Sequence, residues 1–403
     1  MKLAAGATMI ALAISASAQT VPSPRVTPRQ NAPRAAIGQD ANATAAGLGR
    51  GWTALAAGRH ADALAAARQI LRADPADHDA LSLAVAALTG SQQSVASLDL
   101  YEQWLGASAH EDLFPLKDIA KSFLLDLSKT PEPRIRIAAL LARAEAGDRS
   151  AHDMLEQEAQ SATVPLDLEA ARAATGDARA IGRLETLITT GGTRDKSAAI
   201  EALVAARPAG ASAAIAKALT DPAPPSRISA AGALADLGAV DAIPALKAAL
   251  SDENPAVRYM VRVALARLGD PDGGTALQEL AASPVSEFRL LAARLAAAKD
   301  PQSSWPATVV PMLQDADPLV RLHAADLLLQ YGRTAEAQPA VDAALADPSP
   351  FVRSQAARLL RERMTASDLP KIRRMLRDPL PDVRLEAAKA LLFQPSKRAV
   401  PAR

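Results

Sequence analysis

Cysteine is absent from this chain of 403 residues. That excludes disulfides, thiol nucleophiles, cysteine-ligated zinc and the lipid-modified cysteine that would tether an exported bacterial protein. Histidine is scarce: His60, His78, His110, His152 and His323 are the five. No two stand four residues apart and none belongs to a His-Glu-x-x-His spacing, so no metal site is legible. Neither sign of charge dominates, with 45 Lys and Arg facing 44 Asp and Glu. The balance gives no whole-protein case for nucleic acid as a partner. Aromatic residues contribute only 3%, and the apolar half of the chain is mainly alanine and leucine. Both lose little rotamer freedom in a helix, so composition favours helix over sheet. A single core rarely grows beyond about 250 to 300 residues, which leaves several domains or an elongated array.

The first residues read as an address. Lys2, an apolar run from Leu3 to Ile14, and small residues at Ala16 and Ala18 follow the order of a cleavable secretory signal. The run is shorter than the roughly 20 residues of a membrane span. Residues 1–18 are therefore expected to be removed and the mature protein to be periplasmic or secreted. Residues 19–47, rich in Pro, Ala, Thr, Arg and Asn, read as a disordered linker.

Self-similarity organises the remainder. In DADPLVRLHAADLLLQYG, Asp315 to Gly332, a proline precedes an arginine by three residues. Arg227, Arg258, Arg321, Arg353 and Arg384 repeat that phrase after Pro224, Pro255, Pro318, Pro350 and Pro381, and Arg289 joins the series with Ser286 in the proline position. The steps are 31, 31, 32, 32 and 31 residues. Six residues before the arginine stand Asp221, Asp252, Asp315, Asp347 and Asp378, with Ser283 as the exception. Paired alanines follow at three and four residues, as in Ala324-Ala325, and a leucine at seven, offsets that share one helical face. Gly238, Gly269 and Gly332 close helices at eleven. Each unit is expected to be a proline-opened first helix, a glycine stop, and a second helix such as those begun by Pro244, Pro339 and Pro370. Fainter copies around Pro133, Asp167 and Lys196 bring the count to nine units between about Lys129 and Gln394.

The pattern Leu-x-Asp-x-x-Pro-x-Val-Arg-x-x-Ala-Ala-x-x-Leu, as in Leu313 to Leu328, resembles HEAT-like repeats of the type first named in phycobilisome lyases. The resemblance covers about two thirds of the chain. It implies an all-α, right-handed solenoid with first helices on the convex side and second helices on the concave side. GRHADALAAARQILRADP, Gly58 to Pro75, is similar to the second helix of a tetratricopeptide repeat, although Gly47 and Arg50 stand where large apolar residues are usual. The expected organisation is a tetratricopeptide-like segment over 48–112, a HEAT-like array over 113–396 opened by a joining helix from Leu113 to Leu127, and a tail over 397–403.

Chemistry is hard to find in this text. The Asp and Arg columns recur in every strong copy, so they read as a structural ladder in which guanidinium forks bridge turns: Asp221, Arg227, Asp252, Arg258, Asp315, Arg321, Asp347, Arg353, Asp378 and Arg384. The Gly-rich Thr189 to Ala198 lacks the spacing of a phosphate loop, and no G-x-S-x-G elbow occurs. No catalytic, cofactor or metal residue is assigned. From Phe351 onward cations outnumber anions, including Arg358, Arg361, Arg363, Lys371, Arg373, Arg374 and Arg377. Lys371, Arg374 and Arg377, three residues apart, form the candidate binding stripe, suited to an acidic protein or an anionic surface; a solvated terminal cap is the competing account. The reading is an exported, non-enzymatic scaffold for an unidentified protein partner. A tetrapyrrole attachment lyase or its chaperone, for bilin or haem, is the alternative that the family resemblance implies.

Overall fold

A computed structural model describes residues 34–108, 110–160, 164–363 and 365–393. The expected signal peptide, the linker before Arg34 and the tail over 397–403 lie outside the described residues. Two units divide the chain, 1–46 and 47–403. Among the described residues there are 22 α-helices and no strand.

Five helices precede the strong repeats: α1 (Arg34–Ala56), α2 (His60–Ala73), α3 (His78–Gly90), α4 (Ser94–Ser108) and α5 (Leu113–Leu127). The start of α1 corrects the expected linker, whose later part is helical; its alanine-rich text carries high helix propensity. The glycines of α1 have different jobs. A Cβ on Gly51 would lie 2.3 Å from the buried Leu83 side chain, while one on Gly49 would meet nothing. Gly51→Ala is accordingly expected to cost about 1–3 kcal/mol by overpacking. Gly49→Ala should gain up to about 1 kcal/mol of helix propensity, and urea unfolding of the two variants separates these cases.

The repeats follow as hairpins. Their first helices are α6 (Pro133–Glu145), α8 (Leu166–Ala174), α10 (Thr193–Ala206), α12 (Pro224–Leu237), α14 (Pro255–Arg267), α16 (Ser286–Lys299), α18 (Pro318–Gln330), α20 (Pro350–Arg363) and α22 (Pro381–Leu392). Between them lie the second helices α7 (Arg149–Ala159), α9 (Ala178–Thr190), α11 (Ala211–Ala216), α13 (Ile243–Ala248), α15 (Ala276–Ala281), α17 (Trp305–Val309), α19 (Thr334–Leu345) and α21 (Leu369–Met375). Proline opens six of these first helices, α6, α12, α14, α18, α20 and α22, where its missing N–H costs nothing. Gly238 and Gly332 stop the first helices α12 and α18 with φ of 69° and 78°, a conformation that glycine adopts without a Cβ penalty. One expected boundary moves: α19 starts at Thr334 and carries Pro339 inside it. Burial of Ala337, Ala340, Val341 and Ala344 on one face holds that helix despite the missing donor.

The paired alanines of the strong units, from Ala230-Ala231 to Ala387-Ala388, are buried. Small side chains let first helices approach closely, which the inner radius of a curved array requires. Two cavities within 47–403, of about 550 and 790 Å³, are lined by first helices and their N-caps alone. This reverses the assignment of first helices to the convex side.

Packing also regroups the chain. One apolar cluster runs from α3, α4, α5 and α6 into α16 through α22, and a second spans α8 to α14. A small cluster of Val263, Ala276, Leu280 and Ala292 ties α14 to α15 and α16. Helix α22 packs against α5 and α6, so the two ends of the array meet. The expected boundary after residue 112 is therefore not a packing boundary. Leu116, Ile119, Phe123, Leu124 and Leu127 of α5 are buried, and α5 covers the last first helix as a following repeat would.

Candidate functional site

The ladder residues assemble a turn before they link repeats. In each strong unit the arginine Nη1 donates to the carbonyls six and five residues earlier. Arg227 does so to Asp221 at 2.8 Å and Pro222 at 3.1 Å, and Arg258, Arg321, Arg353 and Arg384 repeat the clamp. The aspartate carboxylates accept from the N–H two residues on, at Ala223, Asn254, Asp317, Ser349 and Leu380. Such Asx turns set the chain's entry into the next helix.

Rungs between repeats form only at one spacing. Arg227 grips Asp252 with two bonds of 2.7 and 2.8 Å, and Arg353 grips Asp378 with bonds of 2.7 and 3.1 Å, each across 25 residues. Lys196 reaches Asp221 at the same separation. Twenty-five residues after Arg258 the sequence has Ser283 in place of an aspartate, and from Arg321 the next aspartate, Asp347, is one residue farther. Among the described residues neither pairs with a carboxylate. The ladder is thus continuous over α10 to α14 and over α20 to α22, and interrupted between.

These contacts shift the carboxyls. The Arg227 guanidinium holds Asp252 below the usual carboxylate range. Burial pushes Asp378 and Asp221 up, but hydrogen bonds from Arg353 or Lys196, together with a backbone N–H, leave both lowered. A carboxyl depressed in the folded state contributes stability above its unfolded pKa of about 3.9. That contribution is lost as pH falls through the folded value. The melting temperature should hold from neutral pH to about 5 and fall below about 4, and Asp378→Asn should flatten that acid limb.

The candidate stripe is differently placed from its sequence reading. Lys371 is paired with Asp342 and Asp368, and Arg377 with Asp99 at 2.5 Å and Glu102 at 2.6 Å. Glu102 and Asp99 raise the Arg377 pKa. For Lys371, burial acts downward, yet the bonds it donates to Asp342 and Asp368 prevail and leave it raised. Arg374 makes one bond, to the Pro370 carbonyl at 3.3 Å. Between them Arg373, 13% exposed, donates to Glu102 at 2.7 Å and Glu111 at 3.0 Å. Two cations of the stripe are thus committed within the chain, Lys371 to acids of the repeats and Arg377 to acids of the N-terminal α4. Asp99 and Glu102, at i and i+3 on α4, carried the complementary signal.

Other residues face open space. The 550 Å³ cavity lies between α6, α8, α20 and α22. From α20 come Phe351, Ser354, Gln355, Arg358 and Arg361, whose offsets of three, four, seven and ten share one face. Phe351 is 58% exposed. Glu145 and Asp167 stand on the α6 and α8 side, and Arg134 pairs with Asp382 of α22. Arg358, Arg361, Glu145 and Asp167 have no ion-pair partner among the described residues. Glu386 of α22 is 7% exposed and takes a bond from Lys389 on one oxygen, while its Oε2 has no donor.

Helical hairpins stacked in register through a shared core define an α-solenoid repeat protein. Residues 211–298 and 306–401 match HEAT repeats, and there the chain is a HEAT-repeat solenoid. Among solved structures the chain is similar to the CpcE–CpcF complex of phycocyanin lyase from Nostoc sp., at 19% identity and a TM-score of 0.37, covering 60% of this chain and 94% of that one. It is similar also to human deoxyhypusine hydroxylase in complex with glycerol, at 19% identity and a TM-score of 0.32, covering 72% of this chain and 98% of that one. Scores at this level say nothing of activity. No curated protein matches the chain in sequence.

Proposed function

We propose that the mature chain is an exported, non-enzymatic scaffold that holds a protein partner on the inner, first-helix face of its repeats. The exposed Phe351 on the same helix face as Arg358 and Arg361, lining a cavity between first helices, carries this reading. A single exposed apolar residue needs no explanation by itself, but a concave pocket where an apolar side chain and convergent charged groups meet is the default place for a binding site. Export rests on the amino-terminal sequence. The test is expression of the full chain with a carboxy-terminal tag and its affinity purification from a periplasmic extract, with crosslinks and the amino terminus of the product mapped by mass spectrometry. A reproducible partner crosslinked to first-helix residues is expected. Failure to recover any protein above background would sink the scaffold, and a product retaining residues 1–18 would sink export. A visible-absorption change on mixing with haem or a bilin would return the lyase alternative.

A further inference from the structure

We propose that the cavity between α6, α8, α20 and α22 takes a polypeptide segment in which an apolar side chain and a carboxylate pair stand about three residues apart. This rests on the scaffold reading and deepens it by naming the chemistry of the segment. The register comes from α20. Phe351 and Arg358 share a face and are separated by seven residues, roughly 10 Å along a helix. An extended chain spans that distance in about three residues. An apolar group seated on Phe351 therefore brings a carboxylate to Arg358 and Arg361, whose guanidinium forks match carboxylate geometry.

Charge decides among classes of partner. A nucleic acid or anionic lipid would meet Glu145 and Asp167 on the opposite wall and be repelled. A peptide can present carboxylates to one wall and its N–H groups or basic side chains to the other. The cavity also holds a group that lacks a donor, Glu386 Oε2, on a side chain more than nine-tenths buried. A buried carboxylate oxygen without a donor is costly, and since this one has almost no contact with solvent, a peptide N–H would satisfy it only with a shift of the Glu386 side chain toward the cavity. Among the neighbouring cations, Lys371, Arg373 and Arg377 are occupied by the chain's own acids, whereas Arg358 and Arg361 are left for a partner.

The probe is a fluorescein-labelled peptide of Gly and Ser carrying one Phe and, about three residues on, two Asp; its companion carries Lys for Asp. Binding to the chain from residue 19 is read by anisotropy at low salt. The Asp peptide should bind at least about tenfold more tightly than the Lys peptide. Arg358→Glu with Arg361→Glu should abolish the preference, Phe351→Ser should weaken binding several-fold, and Arg374→Glu, outside the cavity, should leave it unchanged. All four positions carry solvent-reachable side chains, and circular dichroism verifies each fold. The proposal fails if the Lys peptide binds equally well, if neither peptide binds, or if Arg374→Glu weakens binding as much as the cavity variants. It also fails if binding emerges only after deletion of residues 394–403, since the chain's own tail would then be the occupant. A partner crosslinked elsewhere on the array would overturn the cavity while leaving the scaffold reading in place.

Discussion

Phe123→Ala is expected to lower the stability of the protein by about 3–5 kcal/mol, the range for truncating a buried phenylalanine. Its side chain is 4% exposed and belongs to the apolar cluster that α5 shares with α20, α21 and α22. The informative readout is where the loss is felt. If α5 closes the array, amide hydrogen exchange should accelerate in α22 and α20, distant in sequence, as much as in α4 and α5. Exchange changed only between α1 and α6 would mean that the two ends unfold independently. A single urea transition shifted to a lower midpoint, with its slope unchanged, is the companion expectation.

Arg373→Ala ranks second, with an expected loss of about 2–3 kcal/mol. Arg373 bridges Glu102 and Glu111 across the same seam. Removing it leaves carboxylates that are largely buried and were desolvated to meet it. The loss stays below that of a fully isolated buried charge because Glu102 keeps Arg377, and Glu111 keeps the Tyr101 hydroxyl at 2.9 Å. The neighbouring Arg374→Ala should fall within about 0.5 kcal/mol of the parent, as surface substitutions do. Denaturation at two salt concentrations should show the remaining Arg377 pairs weakening, since that side chain is half-exposed and open to screening. Equal losses at Arg373 and Arg374 would remove the ion-pair seam from the account.

The repeat unit was written plainly in the sequence. Pro318, Arg321, Ala324, Ala325, Leu328 and Gly332 each follow from local physics: a ring that fixes φ, a fork that reaches the preceding turn, small residues at helical spacing, a stop that tolerates positive φ. Rung formation was half legible. The aspartate and arginine columns are visible, but whether they pair depends on a single residue of spacing, as the contrast between Arg353 and Arg321 shows. Which face lines the cavity was not legible, because the alanine stripe marks a buried face without fixing the curvature that a stack of such faces adopts. The pairing of Arg377 in the stripe was equally hidden, since Asp99 and Glu102 are remote in sequence, whereas Asp368 stands only three residues before Lys371.

Periodicity, capping and composition act over a few residues, so the sequence by itself determined the helices, the hairpin units and their HEAT-like register. Only the tertiary structure decided that α5 and α22 meet, that one apolar core joins the N-terminal helices to the last repeats, and that Arg358 and Arg361 rather than Lys371 and Arg377 have no ion-pair partner among the described residues. The reason is physical. Those outcomes depend on small rotations between neighbouring hairpins, summed over nine units, and a sum of that kind is set by packing at each interface rather than by any one stretch of chain.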